Sequence, residues 1–362
     1  MNKGKSTKRN INVEFLRVVC IILVVLTHTL NDHYVDSRNV MRDGVCLLNT
    51  ICIVAVPCFF MITGYFSSVS QDPLKRIWKT VCHIALPTLA VAYMSQVLHL
   101  MVNTGHSLVA CILEMDYADF YKKIVTWNIH KIPVCGAFWY SSAYVKLMLL
   151  FPVFRLLCRD TDEARYARYS VYVICFLKFL LADINEFVSV SGSVYSIYDR
   201  SILYFLLGYE ARLIDWKRIS AKLLLFGVVL GCGAMYALTR LHVEMTGKFS
   251  DYFFHFSTVP CILSSVCAFA LIVKKIYLGD NERFNNVIFY LGSRAFWVYL
   301  IHNLVLHVLS KLSFFSDASL YRLVLLMLTA LILSYIGAAM ITACLDTLKK
   351  HTHRLFRERR YS

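Results

Sequence analysis

The sequence predicts an all-α integral membrane protein of about ten transmembrane helices, with both termini cytoplasmic. Composition points there first: 58% of the 362 residues are hydrophobic and 17% are charged, with a mean hydropathy of +0.57, far from the balance of a soluble domain. Apolar runs long enough to span follow one another along the whole chain. Basic residues then alternate between successive loops, as the sorting of cytoplasmic loops requires.

The runs fall at residues 13–30, 44–67, 80–101, 138–154, 167–182, 198–211, 220–239, 256–273, 295–310 and 319–346. The first follows the basic Lys3, Lys5, Lys8 and Arg9 and has the outline of a signal peptide. It contains Arg17 and lacks a small-residue cleavage site, so it is expected to stay as a helix. Lys75, Arg76 and Lys79 precede the third run on the cytoplasmic side. Between the third and fourth runs lies the longest loop, 102–137, on the outer side. Its Tyr117, Phe120, Tyr121, Ile124 and Trp127 recur at three- and four-residue spacing, consistent with an amphipathic helix on the membrane surface.

The fourth run enters from outside with Phe138, Trp139 and Tyr140 and carries Lys146 deeper. Arg155, Arg159, Arg165 and Arg168 mark the next inner loop. Arg212, Lys217, Arg218 and Lys222 mark the one after the sixth run, and Lys274, Lys275, Arg283 and Arg294 the one before the ninth. The tail from Lys349 to Arg360 is basic as well. Intervening loops are relatively acidic: Asp32, Asp36 and Asp43; Glu114, Asp116 and Asp119; Asp183, Glu186 and Asp199; Glu244 and Asp251; Asp317. With no internal repeat and no soluble appendage, residues 1–362 read as one membrane domain.

The formal charge of +15 would raise nucleic-acid binding in a soluble chain. Here topology and contact with the lipid bilayer account for it, and no nucleic-acid partner is expected. The 13 cysteines contain no C-x-x-C pair and lie mostly in apolar spans, so no metal site is expected. Cys111 and Cys135 share the outer loop, where an oxidising compartment would let them pair, although chance spacing is the simpler account.

Arg17 and His28 carry the functional signal. Eleven residues at about 100° each return both side chains to one helix face, about 16 Å apart along the axis. Charged and titratable side chains within a span face a protein interior or an aqueous cavity. The alternative for such a pair is an interhelical hydrogen bond and a snorkelling charge. Arg76, Lys79 and Arg294 add cations at the inner mouth; singly they read as topology markers, together as a cradle for phosphates. Glu14, one turn before Arg17, is placed to hold it.

Trp139 and Tyr140 at the outer rim suit stacking on a sugar, and equally suit interfacial anchoring. Lys146 and His302, both within spans, need a partner or a ligand and are candidate acceptor contacts. A cationic inner mouth, a histidine about three turns across and an aromatic outer rim together fit group transfer across the membrane. A phosphate-bearing donor would bind inside, and a neutral imidazole would take the proton from an attacking hydroxyl.

These residues resemble the membrane acyltransferase family 3. Glu14-Phe-Leu-Arg17 followed by His28 is similar to the family's acidic-x-x-Arg opening and its Arg, ten residues, His signature. Val56-Pro57 through Gly64-Tyr65-Phe66 resembles the second-helix motif. Lys75-Arg76-Ile-Trp-Lys79 with Leu86-Pro87 resembles the third, and Phe138-Trp139-Tyr140 with Phe151-Pro152 the fourth. Phe205-Leu-Leu-Gly208-Tyr209 and Val298-Tyr299-Leu-Ile-His302 resemble later signatures.

The resemblance implies O-acylation of a surface polysaccharide or a lipid-linked glycan precursor at the plasma (inner) membrane. It implies acyl-CoA, acetyl-CoA above all, as co-substrate with no bound cofactor, Arg17 and Arg76 as donor ligands, and His28 as catalyst. Lys79 departs from an arginine common there and loses the bidentate fork. Ala137 stands where many members place a histidine. A transporter or flippase for a polar solute or lipid-linked sugar is the rival, because intramembrane Lys and His also suit a proton-coupled carrier.

Overall fold

The computed structural model describes residues 10–30, 33–36, 40–67, 72–188, 197–312, 314 and 319–358. Lys3, Lys5, Lys8, Arg9, Asp32 and Asp317 lie outside them, as do Arg359 and Arg360 of the basic tail. Apart from one isolated bridge between Val35 and Met41, the regular elements described are helices. A helix satisfies its own backbone groups where no water can do so, and a bilayer selects for that.

In chain order the helices are α1 (Ile11–Leu30), α2 (Asp43–Cys52), α3 (Ala55–Tyr65), α4 (Pro73–Thr80), α5 (Leu86–Thr104), α6 (Leu108–Glu114), α7 (Tyr117–Val125) and α8 (Trp139–Leu149). They continue as α9 (Phe151–Leu157), α10 (Asp162–Val188), α11 (Ile197–Leu213), α12 (Ala221–Thr246), α13 (Val259–Ala270), α14 (Glu282–Ser310) and α15 (Leu320–Glu358). Among the described residues, six stretches are long and apolar enough to cross a membrane: Ile11–Leu30, Asp43–Tyr65, Pro73–Thr104, Ala221–Thr246, Tyr252–Lys275 and Tyr321–Leu348.

The fourth expected span is not one continuous helix: α8 and α9 meet at a bend of 64°. Pro152 in the first turn of α9 has no N–H to continue the ladder of α8. The remaining expected spans, 167–182, 198–211 and 295–310, fall within the helices α10, α11 and α14 of 27, 17 and 29 residues, which are not among those six stretches.

Two helices begin well before their apolar runs. Asp72 caps α4 by accepting from the backbone N–H groups of Leu74 and Lys75, so Arg76 and Lys79 already project from a helix. Asn281 caps α14 through Phe284 N, which places Arg294 deep inside that helix rather than at its opening. The apolar run starts where hydrophobic residues begin, whereas the backbone is already helical through the polar turns before it. The aromatic stripe of the 102–137 loop falls on α7, where Phe120 is buried against Tyr93 of α5 and Tyr121 and Val125 are exposed. Cys111 and Cys135 are buried free thiols.

At the centre, α1 packs against α14, α3, α15 and α2, and α3 packs most extensively on α11. The α3–α11 contact depends on two glycines. A Cβ at Gly64 would collide with the Phe205 carbonyl, and one at Gly208 with the backbone of Met61. Only with no side chain at either position do the two backbones approach this closely. Arg168 is buried, which corrects its reading as a loop charge. Its Nε donates to Glu210 Oε1 at 2.6 Å and its Nη1 to the carbonyls of Leu157 (2.5 Å) and Arg159 (3.2 Å), tying α10 to α11. Leu223, Phe226, Val229 and Leu230 of α12 are exposed, the face expected where the surrounding solvent is lipid.

Candidate active site

Because α1 is continuous from Ile11 to Leu30, Arg17 and His28 stay on one face and open into two interior cavities. Arg17 Nη1 donates to Glu14 Oε1 at 2.7 Å, one helical turn away. Glu14 is 3% exposed because α14 closes over it at Gly292, where a Cβ would stand 2.6 Å from Glu14 Oε2. The Arg17 guanidinium, thus anchored, lines a cavity of about 270 Å³ with Tyr140, Tyr144, Ser293 and Tyr299.

Beside it lies a cavity of about 450 Å³ walled by Lys75, Arg76, Lys79, His83 and Tyr144, with the capping Asp72 at its edge. Ile84 and Tyr144 belong to the walls of both, so the two cavities are neighbours. Arg76 stacks on Phe151 at 4.4 Å, and its Nε lies 3.3 Å from Met148 Sδ. Those contacts fix the plane of its fork.

His28 lines a third cavity, also about 450 Å³, together with Asn49, His130, Trp139, Arg200 and Asp251. Trp139 lies flat on Phe256, 4.9 Å between centroids and 9° between planes, while the Arg200 guanidinium sits 5.0 Å from the same ring. Burial, with the charges of Lys131 and Lys146, holds His130 in the loop after α7 below the usual imidazole range.

Tyr140 and Tyr299 line the Arg17 cavity, so Tyr140, expected at the outer rim with Trp139, lies with Arg17 instead, and His302 follows Tyr299 toward His28. Tyr140 and Tyr299 meet edge to face at 5.4 Å. Tyr299 donates to the Ala137 carbonyl at 2.7 Å and accepts from Ser141 N at 3.2 Å. His302 is fully buried, with its ring centroid 6.1 Å from Tyr299 and 5.1 Å from His28.

The structure thus groups Glu14, Arg17, Arg76, Lys79 and Tyr140 about two adjoining cavities and His28 with Trp139 at a third, with His302 against His28 but in none of the three walls. It does not bring Arg294 there: that side chain folds back on Tyr290 of its own helix at 3.6 Å and is not in the walls of the three cavities. Lys146 is likewise outside those walls, although its charge is felt by His130. Arg200, His130 and His255 of the His28 cavity were not anticipated. Arg200 carried a signal, a cation at the start of an apolar run, but the two histidines sit in loop segments with no pattern. Among the described residues, no group of three or more His, Cys, Asp or Glu side chains is placed to hold a metal ion.

An all-helical protein that would span a bilayer, with a cation-lined pair of cavities and a histidine-lined one joined by a single helix, is built for chemistry at a membrane. A family model described as an acyltransferase domain matches residues 10–341, and the chain belongs to acyltransferase family 3. It is a membrane acyltransferase. Neither the curated proteins nor the solved structures compared with the chain include a match.

Proposed function

We propose that this protein is a multi-pass plasma (inner) membrane O-acyltransferase. It moves an acyl group, acetyl in the simplest case, from cytosolic acyl-CoA to a hydroxyl of a surface glycan or its lipid-linked precursor. In this reading about ten spans leave both termini in the cytoplasm. The carrying observation is that Arg17 and His28 share one face of α1 and each lines a cavity, with Tyr140 and Tyr299 in the wall of the first and His302 in contact with both Tyr299 and His28.

Arg76, Lys79 and Arg17 bind the phosphates and direct the thioester toward His28. His28 takes the proton of the acceptor hydroxyl as its oxygen attacks the acyl carbon. The carbon–sulfur bond breaks, and the thiolate leaves with that proton, giving ester and free thiol. Trp139 has one face covered by Phe256, so a sugar meets its other face or its edge. Arg294 drops out as a donor ligand, since it is turned onto Tyr290.

The test is His28→Ala in membranes and in liposomes, followed by mass spectrometry of the glycans. Acyl-CoA consumption and glycan mass gain should vanish while the protein remains inserted. Normal acylation by a well-expressed variant would refute the assignment, and solute flux without acyl-CoA consumption would make the protein a carrier or flippase instead.

A further inference from the structure

His302 sits behind the catalytic histidine rather than in the wall of any of the three cavities. Its Nδ1 is 2.7 Å from the Tyr299 carbonyl oxygen, and a carbonyl only accepts, so Nδ1 must carry the hydrogen. Nε2 is then a bare lone pair. It is fully buried and has no hydrogen-bond partner among the described residues. A buried acceptor left empty costs stability, and such an atom calls for an account.

The neighbour that supplies one is His28, whose ring centroid is 5.1 Å away at an interplanar angle of 48°. An N–H···N bond of about 2.9 Å between two imidazoles puts their centroids about 5 Å apart, which is the separation of these two rings. Tyr299 is itself pinned at both ends of its hydroxyl, to Ala137 O and from Ser141 N. The Tyr299 side chain is therefore held by α8 and the turn before it, and the carbonyl that fixes the His302 tautomer is part of the α14 backbone.

Resting on the acyltransfer reading above, we propose that His302 is the positioning residue for His28. Its Nε2 accepts the hydrogen of the His28 ring nitrogen that faces away from the substrate. The nitrogen facing the cavity is thereby left unprotonated and able to take the hydroxyl proton. When His28 becomes an imidazolium, the same bond stabilises its charge, and His302 stays neutral because Nδ1–H remains on Tyr299. The proton then passes from His28 to the departing thiolate, and His302 ends as it began. This is the arrangement of a base oriented by a third group, with an imidazole in the orienting place.

The experiment compares wild type, His302→Gln, which keeps an acceptor oxygen, and His302→Leu, which keeps the bulk alone. Each is reconstituted in liposomes with acetyl-CoA and the native glycan fraction. The leucine variant should lose about 10- to 100-fold in kcat with KM for acetyl-CoA unchanged, and the glutamine variant should recover most of it.

Equal loss in both variants, or a rise in KM alone, overturns the proposal in favour of simple packing. Full activity of His302→Leu beside an inactive His28→Ala overturns it while leaving the acyltransfer reading intact. A wild type that turns over no acyl-CoA overturns both. Independently of activity, ¹⁵N spectra of histidine-labelled protein should show His302 as the Nδ1–H tautomer, and an Nε2–H signal would refute the assignment.

Discussion

A guanidinium offers a planar fork for phosphate, and its value at Arg17 depends on being held still. One arm is fixed at 2.7 Å to Glu14, and Glu14 is fixed by the closeness of α14 at Gly292. Two substitutions probe this chain of contacts from opposite ends. Arg17→Lys keeps the charge and loses the fork, so KM for acyl-CoA should rise by about tenfold with a smaller change in kcat. Gly292→Ala leaves Arg17 untouched but pushes a methyl group onto the Glu14 carboxylate. It should raise the same KM and add little when combined with Arg17→Lys, because residues in one network are not additive. Steady-state thioester consumption across acyl-CoA concentrations reads both, and a wild-type KM for Gly292→Ala would disprove the positioning role of Glu14.

Between helices, small residues decide how closely backbones approach. Gly208→Ala forces a Cβ into the backbone of Met61 and should cost about 1–3 kcal/mol as overpacking. Gly233, in the middle of α12 with open space around its Cβ position, is the control: Gly233→Ala should be neutral or stabilising by up to about 1 kcal/mol. Apparent melting temperatures of the detergent-purified proteins compare them directly, and equal melting of the two variants would show that the α3–α11 contact does not rest on Gly208.

The same contact shows where a sequence is legible. Gly64-Tyr65 and Gly208-Tyr209 stood out as motifs, yet that they meet one another is a tertiary fact. Likewise the alignment of Arg17 with His28 follows from helical period alone, whereas the 5.1 Å approach of His302 to His28 depends on how α14 docks on α1. Arg294 was misplaced because hydropathy sees the apolar run of α14 and not the polar turns from Glu282 onward. Arg168 looked like a loop cation because its partner, Glu210, lies 42 residues away.

For the molecule as a whole, the proposed function requires that the Arg76 cavity open to the cytoplasm and the His28 cavity to the opposite side, since the proposed donor and acceptor lie in different compartments. Charge distribution makes a definite prediction of that kind: the helix starts bearing Lys75, Arg76 and Lys79 should lie inside, and the 102–137 loop should lie outside. An epitope inserted after Gly105 tests it at a tolerant point, because that residue is exposed, sits at a left-handed helix cap and has nothing within 4 Å of its Cβ position. A second epitope follows Ser362. In intact spheroplasts the loop epitope should bind antibody and the C-terminal one should not, and permeabilisation should expose both. The reverse pattern would put the cations proposed to bind phosphate on the side away from the cytosol, and a cytosolic donor could not then reach Arg17.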